Sequence, residues 1–131
     1  MPDYLAGVLP ETFKQETAGP TDVNGTTWKD LLDRSNLTKT TKICGFKVTV
    51  AGAWAGKAKI RITDGAGNKI FPFQDEYVQD TDFTSGSVVV FNFPVTVPAA
   101  TGYKFQFRSS DNTDGAGKTL ELNHLDVIEV G

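Results

Sequence analysis

The segment with the most recognisable chemistry is a glycine-rich turn at residues 115–119 that ends in Gly-Lys-Thr. Phosphate-binding loops end in this way, because backbone N–H groups and a lysine hold the phosphates where a helix begins. Two features argue against a phosphate site here. Asn112 stands where such a loop has its first glycine, and residues 119–122 alternate between polar and apolar like a strand. The sequence therefore predicts a hairpin turn.

Two clusters of acidic residues could supply the oxygen ligands that Ca²⁺ prefers. The calcium candidates are Asp75, Glu76, Asp80, Asp82, Asp111 and Asp114. Neither cluster has the spacing of an EF-hand, and Asp and Asn are favoured in turns for their own backbone hydrogen bonds. Solvated turns are therefore the favoured interpretation, and no metal is predicted. A pair of these carboxylates could also serve a glycoside hydrolase, but nothing in the spacing indicates the separation that this reaction requires.

The single histidine, His124, and the single cysteine, Cys44, are the remaining candidates for catalysis. A catalytic triad needs a nucleophile beside a histidine that an acid orients, and no motif that presents such a nucleophile occurs here. His124 is in phase with Leu122, and Cys44 is in phase with Phe46. Both side chains are therefore predicted to be structural, and no catalytic residue is predicted.

Two aromatic residues, Trp54 and Tyr77, are the candidate ligand-binding residues, because an exposed ring can stack on the face of a sugar. Trp54 lies within residues 51–56, whose other side chains are too small to cover it. Two other roles remain open for Trp54. It could close one end of the core, or it could contact another subunit.

Five runs of alternating apolar and polar residues predict the strands that position these side chains. They lie at residues 44–51, 57–63, 89–97, 103–108 and 120–130. The first two runs are predicted to be neighbours, and the second is predicted to have one solvent-exposed face. Pro94 interrupts the third run and cannot donate a ladder hydrogen bond, which indicates an edge, a bulge or a crossing between sheets. The last run changes phase near His124, which indicates a bulge.

The pattern as a whole predicts an all-β fold, an antiparallel β-sandwich of jelly-roll type. No stretch after residue 40 has a helical period long enough for the crossover helices of a parallel sheet. Residues 27–33 fit either a capped helix or a short strand, and the strand is favoured. Residues 1–25 have no usable period and are predicted to form an extended, partly mobile N-terminal arm, which leaves 26–131 as the β-sandwich domain.

The composition of the chain limits the classes of partner that it is predicted to bind. The net charge is −3 and the Lys and Arg residues are scattered, so no basic surface for nucleic acid is predicted. One cysteine excludes an intrachain disulfide, and no apolar run approaches the ~20 residues of a membrane helix. We therefore predict a soluble protein with no cofactor, no nucleic acid partner and no membrane partner.

Several segments of the chain resemble small β-sandwich structural proteins of tailed bacteriophages. The segments are residues 26–33, 43–48, 56–65, 93–99 and 103–110. The resemblance implies a non-enzymatic virion protein, either a capsid decoration protein or another head, tail or fibre accessory, made in the host cytoplasm. It also implies a homotrimer that contacts other virion proteins, partly through its N-terminal arm. The alternative is a carbohydrate-binding or receptor-binding module of tail or fibre type that takes a glycan through Trp54 and Tyr77.

Overall fold

The fold is a sandwich of two four-stranded antiparallel sheets. The computed structural model describes residues 10–64, 66–71, 83 and 87–131. Its strands are β1 (Glu11–Asp22), β2 (Lys29–Arg34), β3 (Thr40–Ala51), β4 (Ala58–Asp64), β5 (Lys69–Phe71), β6 (Ser87–Val97), β7 (Tyr103–Ser109) and β8 (Thr119–Val130). The first sheet has the order β1-β8-β3-β6, and the second has the order β2-β7-β4-β5.

This strand order confirms the predicted all-β sandwich and is that of a jelly roll, in which two Greek keys close into facing sheets. β2 also confirms the strand that was favoured at residues 27–33. In the part of the chain that the structure describes, no helix is long and apolar enough to span a membrane.

The core lies between the sheets and is rich in phenylalanine. In β7 the odd residues Tyr103, Phe105 and Phe107 point inward and are at most 2% exposed. Phe46 of β3 makes an edge-on contact with Phe105 across the core, with ring centroids 5.0 Å apart. Phe71 makes a second edge-on contact with Phe46, with ring centroids 5.4 Å apart. Such edge-to-face pairs add specific geometry to the burial of large apolar area.

Residues 11–22 belong to a sheet, whereas the sequence analysis placed them in an extended N-terminal arm. They form β1, which is hydrogen-bonded to β8 from Glu11 opposite Val130 to Asp22 opposite Thr119. Most side chains of β1 are exposed, so the segment shows no apolar period although its backbone pairs with β8 along most of its length. The first sheet therefore includes residues 11–22, which the sequence analysis assigned to the arm.

The predicted pairing of the runs at 44–51 and 57–63 is also wrong. β3 lies between β8 and β6 in the first sheet, whereas β4 lies between β7 and β5 in the second. The connection between β3 and β4 crosses from one sheet to the other, and alternation reports which side is buried but not which strand is adjacent. The prediction that the outer side of β4 is solvent-exposed is also wrong. Lys59 and Thr63, on that side of this central strand, are buried.

Two of the register shifts in the first sheet lie where Pro94 and His124 indicated them. Along β3 and β6, Ile43 pairs with Val95 and Gly45 pairs with Val90, so residues 91–94 oppose a single residue. β6 is an edge strand, which tolerates the missing N–H of Pro94. Along β8 the register also shifts beside His124.

An ion pair between a buried carboxylate and an exposed arginine joins the two sheets at their rim. Glu16 of β1 is 9% exposed, and Arg34 of β2 donates from both Nε and Nη2 to its Oε2, the former at 3.0 Å. Burial raises the pKa of Glu16, but the hydrogen bonds and charges of Arg34 and Lys14 lower it by more, so it falls below its usual value. Burial and the Glu16 charge raise the pKa of Tyr103, which is also buried, to about 12.

Candidate functional site

Asp114 is a buried carboxylate that ties two loops together. Its Oδ1 accepts from the backbone N of Ala55 at 2.8 Å, and its Oδ2 accepts from Gly56 N at 3.0 Å and Ser109 Oγ at 2.5 Å. The ammonium group of Lys118 lies 3.1 Å from Oδ1. The Ser109 hydrogen bond, with help from the other donors, holds the pKa of Asp114 well below its usual range despite burial. This arrangement fixes loops and leaves Ser109 and Asp114 without solvent access.

The calcium candidates are satisfied by protein donors wherever they are described. Asp111 accepts from both the backbone N and the Oγ1 of Thr113, and these bonds lower its pKa. Among the described residues, no three His, Cys, Asp or Glu side chains are grouped so that they could hold a metal ion. Residues 75, 76, 80 and 82 lie outside the described residues. Lys118, from the phosphate-loop-like segment, closes a turn through its backbone N to Gly115 O at 3.0 Å.

His124 and Cys44 lie on the outer side of the first sheet, away from the core. His124 Nδ1 is 2.9 Å from Asp126 Oδ1. The prediction that Cys44 shares a face with Phe46 is wrong. The bulge places Ile43 in the core and leaves the Cys44 thiol half-buried. Burial, together with the Asp126 charge, raises the pKa of the Cys44 thiol, which is the opposite of nucleophile activation.

Both tryptophan rings are engaged by the protein itself. Trp54 packs against the core and donates from Nε1 to Ala51 O at 2.8 Å, which is the arrangement of a lid over one end of the sandwich. Trp28 has the guanidinium carbon of Arg61 4.3 Å from its ring centroid. A ligand-binding role for Trp54 stays a prediction, and Tyr77 lies outside the described residues.

A polar groove of about 410 Å³, which the sequence did not indicate, runs beside the β2–β3 and β6–β7 connections. Its polar side chains come from Asp33, Ser35, Asn36, Thr101 and Lys104. Asn36 and Ala100, both in this lining, have left-handed backbone with φ of 54° and 67°. Carboxylate, amide, hydroxyl and ammonium groups on one surface can hydrogen-bond a hydroxyl-rich ligand.

The most distinctive surface is on β6, and we call its residues Val88, Val90 and Phe93 the apolar edge. These side chains are 59%, 77% and 83% exposed. Val89, between the two valines, pairs with the core residue Phe46 and is half-buried. Val88 and Val90 therefore face outward from the sandwich. The sequence placed Phe93 in phase with Phe91 and Val95, but the bulge at residues 91–94 breaks that phase.

The apolar edge is unusual among the four edge strands that the structure describes. β1, β2 and β5 all contain charged residues, which oppose pairing with another chain. β6 contains no charged residue along its 11 residues. β6 also lies close to β3, because a Cβ at Gly45 would lie less than 3.0 Å from the carbonyl oxygen of Val89. Such an edge is suited to binding another protein chain by hydrogen bonding between strands and by apolar contact.

Among the described residues, the fold and this edge define a class, namely a jelly-roll sandwich in which one edge strand contains no charged residue. Comparison of the chain with protein-family models, with curated proteins and with solved structures finds no match. The resemblance to bacteriophage structural proteins therefore stays a prediction.

Proposed function

We propose that this chain is a non-enzymatic structural protein that binds other protein chains, as a capsid decoration or other accessory protein of a bacteriophage particle. The observation that carries the proposal is the apolar edge, with Phe93 at 83% exposure beside two exposed valines. Jelly-roll domains serve in viral capsids and in lectins, so the fold is compatible with this role by analogy. The assignment to a phage rests on the sequence resemblance.

The energetics of the apolar edge support association. Covering exposed aromatic and aliphatic side chains with a partner removes them from water. This contributes about 25 cal/mol of favourable free energy per Å² of apolar surface buried. A large ring such as Phe93 is the kind of side chain that anchors an interface. β6 is an edge strand of the described sheet and could offer backbone donors and acceptors to the same partner.

The polar residues that could suggest catalysis support the same reading. Ser109 is fully buried and donates to Asp114, whose own oxygens are occupied by three further donors. These groups are buried and stabilise loops. A protein that works through its surface needs no side chain in a reactive environment.

Co-sedimentation with particles tests the proposal. The tagged chain is expressed in cells that produce the phage, and particles are purified on a density gradient. We expect the parent chain in the particle fraction and at least tenfold less of the Phe93→Ser variant, because that variant lacks the anchoring ring. The Phe13→Ser variant is the matched control, since Phe13 is also exposed, at 62%, on the opposite edge strand of the same sheet. Absence of the parent chain from the particles would refute the proposal.

Glycan binding is a second candidate function, and the polar groove at Ser35 and Asn36 favours it. Its hydroxyl and amide groups match the hydrogen-bonding needs of a saccharide. A glycan array of the parent chain, with Ser35→Ala and Trp54→Phe as variants, tells the groove from the predicted Trp54 site. Failure of the parent to bind any glycan would remove this candidate.

A further inference from the structure

We propose that Asn24 and Gly25 form a site of spontaneous chemical modification, which the connection between β7 and β8 (residues 110–118) holds unreactive in the folded chain. The modification is the closure of a succinimide ring between the side chain of Asn24 and the backbone nitrogen of Gly25. Asparagine is among the thermolabile residues of proteins, and this reaction needs no enzyme and no reactant besides water. The inference concerns the loops at one end of the sandwich and does not rest on the proposed function.

Asn24 is the asparagine whose following residue hinders ring closure least. The chain has six asparagines, and Asn24 is the only one that a glycine follows. Glycine has no Cβ, so another group can approach its backbone nitrogen closely and its backbone can adopt the conformation that the ring requires. The side chain of Asn24 is also exposed to water. The residue pair is therefore reactive by its chemistry, and the surrounding structure decides whether the reaction occurs.

The reaction proceeds in two steps that balance. The backbone nitrogen of Gly25 loses its proton to a base in the solvent and forms a bond to Cγ of Asn24. The Cγ–Nδ2 bond breaks, and Nδ2 takes up a proton and leaves as ammonia. Water then opens the ring at one of its two carbonyl carbons and leaves either aspartate or isoaspartate at position 24. The isoaspartate form has one additional carbon in its backbone.

The fold withholds the nitrogen that must attack. Gly25 is buried, and its N–H donates to the carbonyl oxygen of Asp114 at 2.8 Å. The carbonyl oxygen of Gly25 accepts from the backbone N of Ser109, also at 2.8 Å. A Cβ at Gly25 would lie 2.9 Å from the carbonyl oxygen of Asn112, so the two loops are in close contact. The nitrogen can therefore lose its proton and move toward Cγ only when this contact opens locally.

The side chain of Asp114 determines how often the contact opens. Its carboxylate accepts from the backbone N of Ala55, the backbone N of Gly56 and the hydroxyl of Ser109. These donors lie on β7 and on the connection between β3 and β4, so the carboxylate anchors the loop whose own carbonyl oxygen holds Gly25. Loss of one buried hydrogen bond changes an opening equilibrium by about tenfold. The reaction rate follows the population of the open form.

Peptide mapping by mass spectrometry of the purified full chain, incubated at mildly alkaline pH, tests the proposal. Trypsin releases residues 15–29 as one peptide, in which the reaction replaces an NH₂ group with OH, and enzymatic methylation detects the isoaspartate. We expect the parent chain to react at least tenfold more slowly in native buffer than when it is unfolded in urea. Asn24→Gln should remove the modification from this peptide, because the longer side chain does not close a five-membered ring.

Asp114→Ala should react at Asn24 at least tenfold faster than the parent under native conditions. Alanine is used because an asparagine at position 114 would precede Gly115 and form a second reactive pair. Asp111→Ala is the matched control and should react like the parent, since the carboxylate of Asp111 accepts from Thr113 within the same connection. Hydrogen exchange at the Gly25 amide gives a second measurement, because exchange requires the same opening.

Circular dichroism verifies that each variant is folded, and Ser109→Ala replaces Asp114→Ala if the latter does not fold. A parent chain that remains unmodified at Asn24 in urea overturns the proposed site. A parent that reacts equally fast in native buffer and in urea overturns its protection by the fold. The role of Asp114 is overturned if the variant reacts no faster than the parent, or if its Gly25 amide exchanges no faster.

Discussion

Gly45 allows β6 to lie against β3, and replacing it with alanine tests how the apolar edge is positioned. A Cβ at this position would lie less than 3.0 Å from the carbonyl oxygen of Val89 and 3.2 Å from the Cα of Val90. Both atoms belong to the backbone of β6, so no side chain can rotate away to make room. The Gly45→Ala variant must therefore push the two strands apart next to the bulge.

The magnitude follows from two opposing terms. Overpacking against a rigid neighbour costs about 1–3 kcal/mol, and the contact with backbone atoms places Gly45 near the top of that range. Alanine also restricts the unfolded chain, which gives back about 0.4–1 kcal/mol. The net loss in the free energy of unfolding is about 2 kcal/mol. For a domain of this size, that loss lowers Tm by roughly 6–8 °C.

Urea unfolding of the parent and of Gly45→Ala measures this loss. Gly115→Ala is the matched control, because a Cβ at Gly115 meets nothing within 4 Å. We expect the control to be unchanged or slightly more stable, by up to about 0.5 kcal/mol. Hydrogen exchange should also show faster exchange of the amides in residues 87–90 in the Gly45→Ala variant alone. Equal stability of parent and Gly45→Ala would refute the close approach of β3 and β6.

Three further predictions concern titrating groups. Asp114→Asn replaces one accepting oxygen with an NH₂ group that donates and cannot accept. Thermal unfolding should therefore show a Tm roughly 10 °C lower, whereas Asp111→Asn should change it by less than half as much. The pKa of Glu16 is lower in the folded protein than its usual 4.5, so the unfolded chain binds more protons. Urea unfolding should therefore show the free energy of unfolding falling as pH drops below about 4.5. The fall should be shallower for Glu16→Gln. The pKa of Tyr103 is raised to about 12, so its contribution is complete below pH 10 and is lost as pH rises from 10 to 12. Tyr103→Phe should remove that alkaline loss in the same assay, and an identical alkaline profile would contradict the burial of Tyr103.

Local patterns in the sequence predicted the elements that carry the core. The alternation of Tyr103, Phe105 and Phe107 is confirmed as β7, because a strand buried on one side must repeat every second residue. Pro94 correctly indicated an edge or bulge, and the change of phase near His124 correctly indicated a bulge in β8. Each of these signals depends only on residues within one strand.

The features that sequence reasoning missed depend on other strands. β1 is held by backbone hydrogen bonds to β8 and buries few side chains, so its residues leave no apolar period to detect. The face of Cys44 depends on a bulge formed with β6, a strand more than 40 residues away. The apolar edge was missed for the same reason. A valine-rich run looks the same in a central strand and at an edge, and only the sheet order distinguishes the two.

The sheet order also connects the fold with the proposed function. In a jelly roll each sheet has two free edges, and four strands must therefore avoid unwanted pairing. Here β1 and β2 contain several charges, and β5 has only three residues. Without a partner on β6, its lack of charge would favour uncontrolled edge-to-edge association. A single lysine at position 88 or 90 would prevent that association. Both positions are exposed and contribute little to the core, so folding does not require valine there. A partner chain that covers these positions, as we propose, would account for the two exposed valines.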